Sequence, residues 1–320
     1  EDDMEAGIWG TVSARQHRPL REALDWYRDN VSCHRMGAAS ERYRLQCLRD
    51  ELGAILIAQL DAPRIVAYVR RRLEHVCGDT LRRELGLLSD ALNTVQVEWG
   101  FTLPVNPVMA ARPLLRKMRA MATHPGRTRR LKPGELEALL AAPHTQPTLI
   151  GAIIEFAVET AMRRGEIAAL RHTDIHWTQG TLTIRHSKTD WKTHTRGREI
   201  PLSPRALEIL REVPERADGS VFGLTDPHSI TQAFKRTIDL VNREAAVGRA
   251  GFVEIEGLRF HDLRHEATSR LFERGFEIQE VAVFTGHRDW KSLRRYTHID
   301  PARLAQTLAA SPAPKLRVVG

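Results

Sequence analysis

Cysteine is scarce in this chain of 320 residues: Cys33, Cys47 and Cys77 are the only three, and none forms a CxxC pair. An odd count without a secretory leader argues against a disulfide framework and for a reducing, cytoplasmic setting, where the thiols would serve as core fillers. Long apolar runs are missing too. The most apolar stretch, residues 149–162, is interrupted by Glu155 and Glu159 and is too short to span a bilayer, so it reads as a buried helix and no membrane partner is expected. No repeat or low-complexity block occurs. Acidic residues are absent from positions 112–132, where Arg112, Arg116, Lys117, Arg119, Arg127, Arg129, Arg130 and Lys132 surround the helix-breaking Pro125 and Gly126.

What is present is apolar content of 42%, enough for the cores of two globular domains, and a formal net charge of +8, which favours a polyanionic partner. Residues 1–17 read as an N-terminal remnant. Residues 18–111 read as an all-helical domain built from PLREALDWYRDNV, ASERYRLQCLRDEL, PRIVAYVRRRLEHV and DTLRRELGLLSDALNTVQVEW. Pro63 suits the first turn of the third helix, and Asp79 or Thr80 the cap of the fourth. Residues 112–131 read as a flexible basic linker whose arginines and lysines run along a phosphate backbone. Residues 132–300 mix helices with a small sheet, with strands at 181–185 and 198–202 joined by the basic segment HSKTDWKTHTRG. A tail, 301–320, follows. The fold class is therefore mainly α with a small β-sheet.

The chemistry concentrates in RFHDLRHEATSRLFERGFEIQEVAVFTGHRDWKSLRRYT. His261, Arg264 and His265 lie three and four residues apart and share one face if HDLRHEATSRLFE is helical. A guanidinium fork grips two phosphate oxygens, an imidazole moves a proton near neutral pH, and a tyrosine such as Tyr296 offers a nucleophile. Farther upstream, ETAMRRGEIAALR adds Arg163 with Glu166 one turn on. Two arginines can neutralise both non-bridging oxygens of a phosphodiester, whose charge grows toward the transition state.

In this order, Arg163-x-x-Glu166, a hairpin lysine, His261-x-x-Arg264, Gly286-His287 and Tyr296 resemble the tyrosine recombinases, the phage-integrase family. The segments ETAMRRGEIAAL, LRFHDLRHEATSRLFE and RRYTH, with weaker support from ELGLLSDALNTVQVEWG, resemble its shufflon-type branch. The resemblance implies a helical core-binding domain and a mixed α/β catalytic domain that close on DNA as a C-shaped clamp. It implies that Tyr296 attacks the scissile phosphate to give a 3′-phosphotyrosyl bond and a free 5′-hydroxyl. Arg163 and Arg264 would clamp the non-bridging oxygens, His287 would donate a hydrogen bond, and His261 would take or return the tyrosine proton. Lys188 would protonate the leaving oxygen, and Glu166 would orient its basic neighbours.

Lys192, in the same hairpin, is a rival for the acid and otherwise a DNA contact. His265 would pack or bond the backbone; with His261 it has HxxxH spacing but no third ligand, so no metal is expected, and no cofactor. The implied partners are double-stranded DNA carrying a recombination site, three further copies of the chain in a homotetramer on two sites, and accessory DNA-bending proteins. The tail would dock on a neighbouring subunit. Ala161 stands where the family has glycine, and Thr285 where it has leucine before Gly286-His287; neither removes a functional side chain. Two other readings stay open, a type IB topoisomerase that nicks and reseals one strand and a DNA-binding regulator without the chemistry.

Overall fold

The computed structural model describes residues 17–35, 37–118, 127–142, 149–185, 197–223, 225–287 and 289–296. The chain divides into two compact units, Glu1–Gly126 and Arg127–Gly320.

Among the described residues the first unit is all-helical, with α1 (Leu20–Asn30), α2 (Ala38–Leu52), α3 (Ala62–Leu73), α4 (Gly78–Trp99) and α5 (Pro107–Lys117). Each buries an apolar stripe at helical spacing, such as Leu20, Ala23, Leu24 and Tyr27 on α1 and Ile65, Val66, Tyr68 and Val69 on α3. Asp61 caps α3 by accepting from the Arg64 amide at 2.9 Å, with Pro63 in the first turn as expected. The fourth cap is not as expected. Cys77 occupies the N-cap of α4 without a side-chain cap bond, and Asp79 lies inside the first turn. The cysteines are not core fillers either, since Cys33 and Cys77 are exposed and Cys47 is half-buried. One charge is sunk in this core: Glu84 is fully buried, accepting from the Tyr68 hydroxyl at 2.6 Å and from Arg72 at 3.0 and 3.2 Å. Those three bonds compensate for its lost hydration.

The second unit contains α6 (Glu135–Ala141), α7 (Ile150–Thr160), α8 (Arg164–Ala168), β1 (Ile175–His176), β2 (Thr181–Ile184), β3 (Arg198–Pro201), α9 (Pro204–Glu212), α10 (Pro227–Ala246), α11 (Phe260–Glu273) and α12 (Ile278–Thr285). Single 3-10 turns at Trp290–Ser292 and Arg294–Tyr296 follow. Helix α7 is buried on nearly every side and packs against α11 and α9, which explains its apolar sequence. Glu155 and Glu159 face α9, where Arg205 and Ser203 bond them at 2.6 to 3.0 Å. The antiparallel sheet runs β1-β2-β3. Strand β1, of two residues, is too short to show alternation in the sequence.

The reading of residues 112–131 as a flexible linker does not hold at its two described ends, 112–118 and 127–131; residues 119–126 lie outside the described residues. Arg112, Arg116 and Lys117 belong to α5, which buries Ala111 and Leu115 in the first unit. Arg127, Arg129 and Arg130 are ion-paired on the second unit. Arg127 forks onto Asp262 at 2.7 and 3.1 Å, Arg129 bonds Glu135, and Arg130 reaches Glu266 at 3.0 Å and Glu273. Their carboxylate partners come from α6 and α11, so this basic segment braces the helix that carries His261 and Arg264. Arg119 lies outside the described residues.

Candidate active site

Helix α7 ends at Ala161 in the left-handed region, φ 54°, the one non-glycine residue with positive φ among those described. The turn brings Arg163 to the N-cap of α8. Its backbone N–H donates to Glu166 Oε2 at 2.8 Å and its guanidinium to Oε1 at 2.9 Å. A second nitrogen of Arg163 donates to the carbonyl of Gly286 at 3.3 Å. Glu166 is buried, and Arg198 of β3 grips both its oxygens at 2.8 and 2.9 Å. Burial by itself would raise this carboxyl, but Arg198, with Arg163 beside it, outweighs that and holds the group below the usual carboxylate range.

Arg198 escapes a sequence reading. It is a lone arginine at the start of a strand, and only the register opposite the buried Ile184 turns it inward. Its neighbour explains Gly286, which ends α12 at φ 63° and where a Cβ would lie 2.7 Å from Arg198 Cζ.

Arg264 projects from α11 into the centre and is 4% exposed. It donates to the carbonyls of Ala161 at 2.6 Å and Thr285 at 2.5 Å, and its Nη2 lies 3.4 Å from His287 Nε2. Among the described residues it forms no ion pair with a carboxylate. Burial, with Arg163 close by, lowers it to about 9, which still leaves it cationic at neutral pH. His287 is lowered to about 3, first by burial and then by Arg264 and Arg163, so it is neutral in the resting protein.

Tyr296 sits on the last 3-10 turn, anchored by fully buried Leu293, which packs with Leu271 and Val281. Its ring stacks on Phe272, with centroids 6.2 Å apart, and its hydroxyl is hydrogen-bonded to His265 Nδ1. His265 is thus set against the phenol, correcting its reading as a packing or backbone-bonding residue. His261, expected to serve the tyrosine, stands one turn earlier with its ring edge-on to His265 at 5.1 Å. Both imidazoles lie below the ordinary histidine range. For His261 the causes are crowding by protein followed by His265 and Arg264; for His265 they are burial followed by Arg295. Burial raises the Tyr296 hydroxyl, opposed by Arg295 and Arg264.

The structure therefore brings Arg163, Glu166, Arg264, His287, His265 and Tyr296 together and adds Arg198. Lys188 and Lys192 lie outside the described residues. Glu166 is ion-paired with Arg163 and Arg198, and Arg264 adds a third guanidinium within its field, so these groups carry an excess of positive charge.

The model of the phage integrase family matches residues 129–303, the span that carries every one of these groups. The chain belongs to that family. The shufflon-specific DNA recombinase of Escherichia coli is 35% identical over 301 residues, 91% of this chain and 72% of that protein. Among solved structures, this integrase-family chain matches the Tn1549 transposon integrase in complex with circular intermediate DNA, with a TM-score of 0.67 at 14% identity over 91% of this chain and 99% of that one. It also matches a lambda integrase tetramer bound to a Holliday junction, with a TM-score of 0.66 at 21% identity over 87% of this chain and 77% of that one. The mainly helical fold with a small sheet is the integrase fold. Among the described residues no helix is long and apolar enough to cross a membrane.

Proposed function

We propose that this protein is a site-specific DNA recombinase that cuts and rejoins duplex DNA through a covalent link at Tyr296. The observation that carries this reading is Arg264, a buried cation held by two carbonyls and a neutral imidazole, with Tyr296 close enough to feel its field. A buried charge without a counterion is costly, and a phosphodiester supplies the missing anion beside a nucleophile.

In this scheme Arg264 and Arg163 bind the two non-bridging oxygens, where charge accumulates as the fifth bond to phosphorus forms. The Tyr296 oxygen attacks while His265, neutral and in contact with it, accepts the phenolic proton. The bond from phosphorus to the 5′ oxygen breaks, that oxygen is protonated by Lys188, and a 3′-phosphotyrosyl bond remains. Lys192 is the alternative acid. A 5′-hydroxyl from a second strand then reverses each step, so bond energy is conserved and neither nucleotide nor water is consumed. Glu166 keeps Arg163 and Arg198 oriented, and His261 supports His265.

Similarity to the shufflon-specific DNA recombinase supports inversion of DNA between paired sites as the outcome. The lambda integrase tetramer bound to a Holliday junction supports a homotetramer on two sites. Accessory DNA-bending proteins and a cytoplasmic setting complete the proposal, and residues 301–320, expected to dock on a neighbouring subunit, lie outside the described residues. Incubation with a nicked duplex that traps the covalent product, followed by denaturing electrophoresis, tests the chemistry. An adduct lost in Tyr296→Phe is expected; relaxation of supercoiled DNA lacking any specific site would favour a topoisomerase.

A further inference from the structure

Thr285 is fully buried at the end of α12 and touches both groups that flank it in the active site. Its carbonyl accepts from Arg264 Nη2 at 2.5 Å. Its hydroxyl lies 2.8 Å from the carbonyl of Val281, one turn back, and 2.8 Å from His287 Nδ1. A hydroxyl has one proton, and the Val281 carbonyl, which can only accept, takes it. The threonine oxygen therefore faces Nδ1 with lone pairs, and Nδ1 must carry a hydrogen. On the other side of the ring, Nε2 faces a guanidinium nitrogen that can only donate, at 3.4 Å. Both contacts demand the same proton arrangement from opposite sides.

We infer that the Thr285 hydroxyl is a positioning group that fixes His287 as its Nδ1–H tautomer, so that the nitrogen turned toward Arg264 is a bare acceptor. The usual expectation, that His287 donates a hydrogen bond to the phosphate, needs a proton on Nε2. Here the resting imidazole instead receives from Arg264 and, together with the Thr285 carbonyl, sets the plane in which the guanidinium meets the phosphate. The leucine found at this position in the resemblance would keep the carbonyl and lose the hydroxyl. This device therefore belongs to chains that carry threonine.

The tautomer follows from geometry alone, and only its kinetic consequence rests on the recombinase reading. The test uses the full chain labelled with nitrogen-15 at histidine. Long-range proton–nitrogen correlation at neutral pH should show His287 with Nδ1 protonated and Nε2 bare in the wild type and in Thr285→Ser. In Thr285→Val and Thr285→Leu the ring should shift toward the Nε2–H form. A wild-type ring with Nε2 protonated, or a ring unchanged in both apolar variants, would overturn the inference. In parallel, adduct formation on a nicked duplex should fall by about 10-fold or more in Thr285→Val and return in Thr285→Ser. Equal rates in all variants would remove the positioning role. Absence of adduct even in the wild type would instead count against the recombinase reading, leaving the tautomer result standing.

Discussion

His265 Nδ1 and the Tyr296 hydroxyl are hydrogen-bonded, with the two rings 5.9 Å apart at 31°. That pairing makes His265, one turn beyond the first histidine of the motif, the group in contact with the nucleophile. His265→Ala should slow single-turnover adduct formation by roughly 100-fold or more, the range of a lost general base. His261→Ala should cost less. The reverse ranking, measured on one nicked substrate, would return the proton to His261.

Ala161 holds φ 54° and offers its carbonyl to Arg264. A left-handed conformation costs an L-residue about 1–2 kcal/mol, partly offset by the greater chain entropy that glycine loses on folding. Ala161→Gly should therefore leave cleavage intact and stabilise the protein by up to about 1 kcal/mol, read from chemical denaturation. A lower stability would mean that the alanine methyl contributes more through packing than the backbone loses through strain.

Removing Arg198 leaves Glu166 buried with Arg163 as its remaining ion-pair partner. Arg198→Ala should destabilise the protein by about 2 kcal/mol and slow cleavage, because Arg163 is then drawn more fully onto the carboxylate. Unchanged stability would show that water replaces the guanidinium at little cost.

The basic segment separates two roles that charge alone confuses. Arg116 and Lys117 are exposed on α5, whereas Arg127 and Arg130 are paired with Asp262 and Glu266. If the first two contact phosphates, neutralising both should flatten the dependence of log K on log salt by about 2, near 0.9 per contact. Arg127→Ala and Arg130→Ala should lower the melting temperature instead and leave that slope nearly unchanged. A slope altered by the second pair would restore the linker reading.

How much of this was legible follows from where each group finds its partner. The first unit's helices, Arg163-x-x-Glu166 and the shared face of α11 are local patterns, visible because spacing alone fixes them. The pairing of the basic segment is not legible locally, because the carboxylates that hold Arg127 and Arg130 lie about 135 residues away in sequence, beyond any local window. The choice between His261 and His265 was equally hidden. Both lie on one helical face, and the packing of Leu293 against Leu271 and Val281 decides which of them the tyrosine meets. Arg198 depended on strand register, which no single arginine announces.

Acid should weaken the folded state through the same cluster. His287, facing Arg264, Arg163, His261 and His265, is lowered to about 3, while His261 and His265 are also lowered. The unfolded chain takes up protons near pH 6.5 that the folded site refuses, so stability is full above that pH and is lost as pH falls below it. The melting temperature should be flat from about pH 7 to 8 and decline toward pH 5. His287→Gln should reduce that decline, and a decline of equal size in the variant would assign it to other groups.

The central claim is that Tyr296 becomes covalently joined to DNA. Trapping with a nicked duplex bearing the recombination site, then mapping the modified peptide by mass spectrometry, tests it most directly. A nucleotide should be attached to the peptide containing Tyr296, with no adduct from Tyr296→Phe, which should still bind the DNA. An adduct on another residue, or one that persists in Tyr296→Phe, would contradict it.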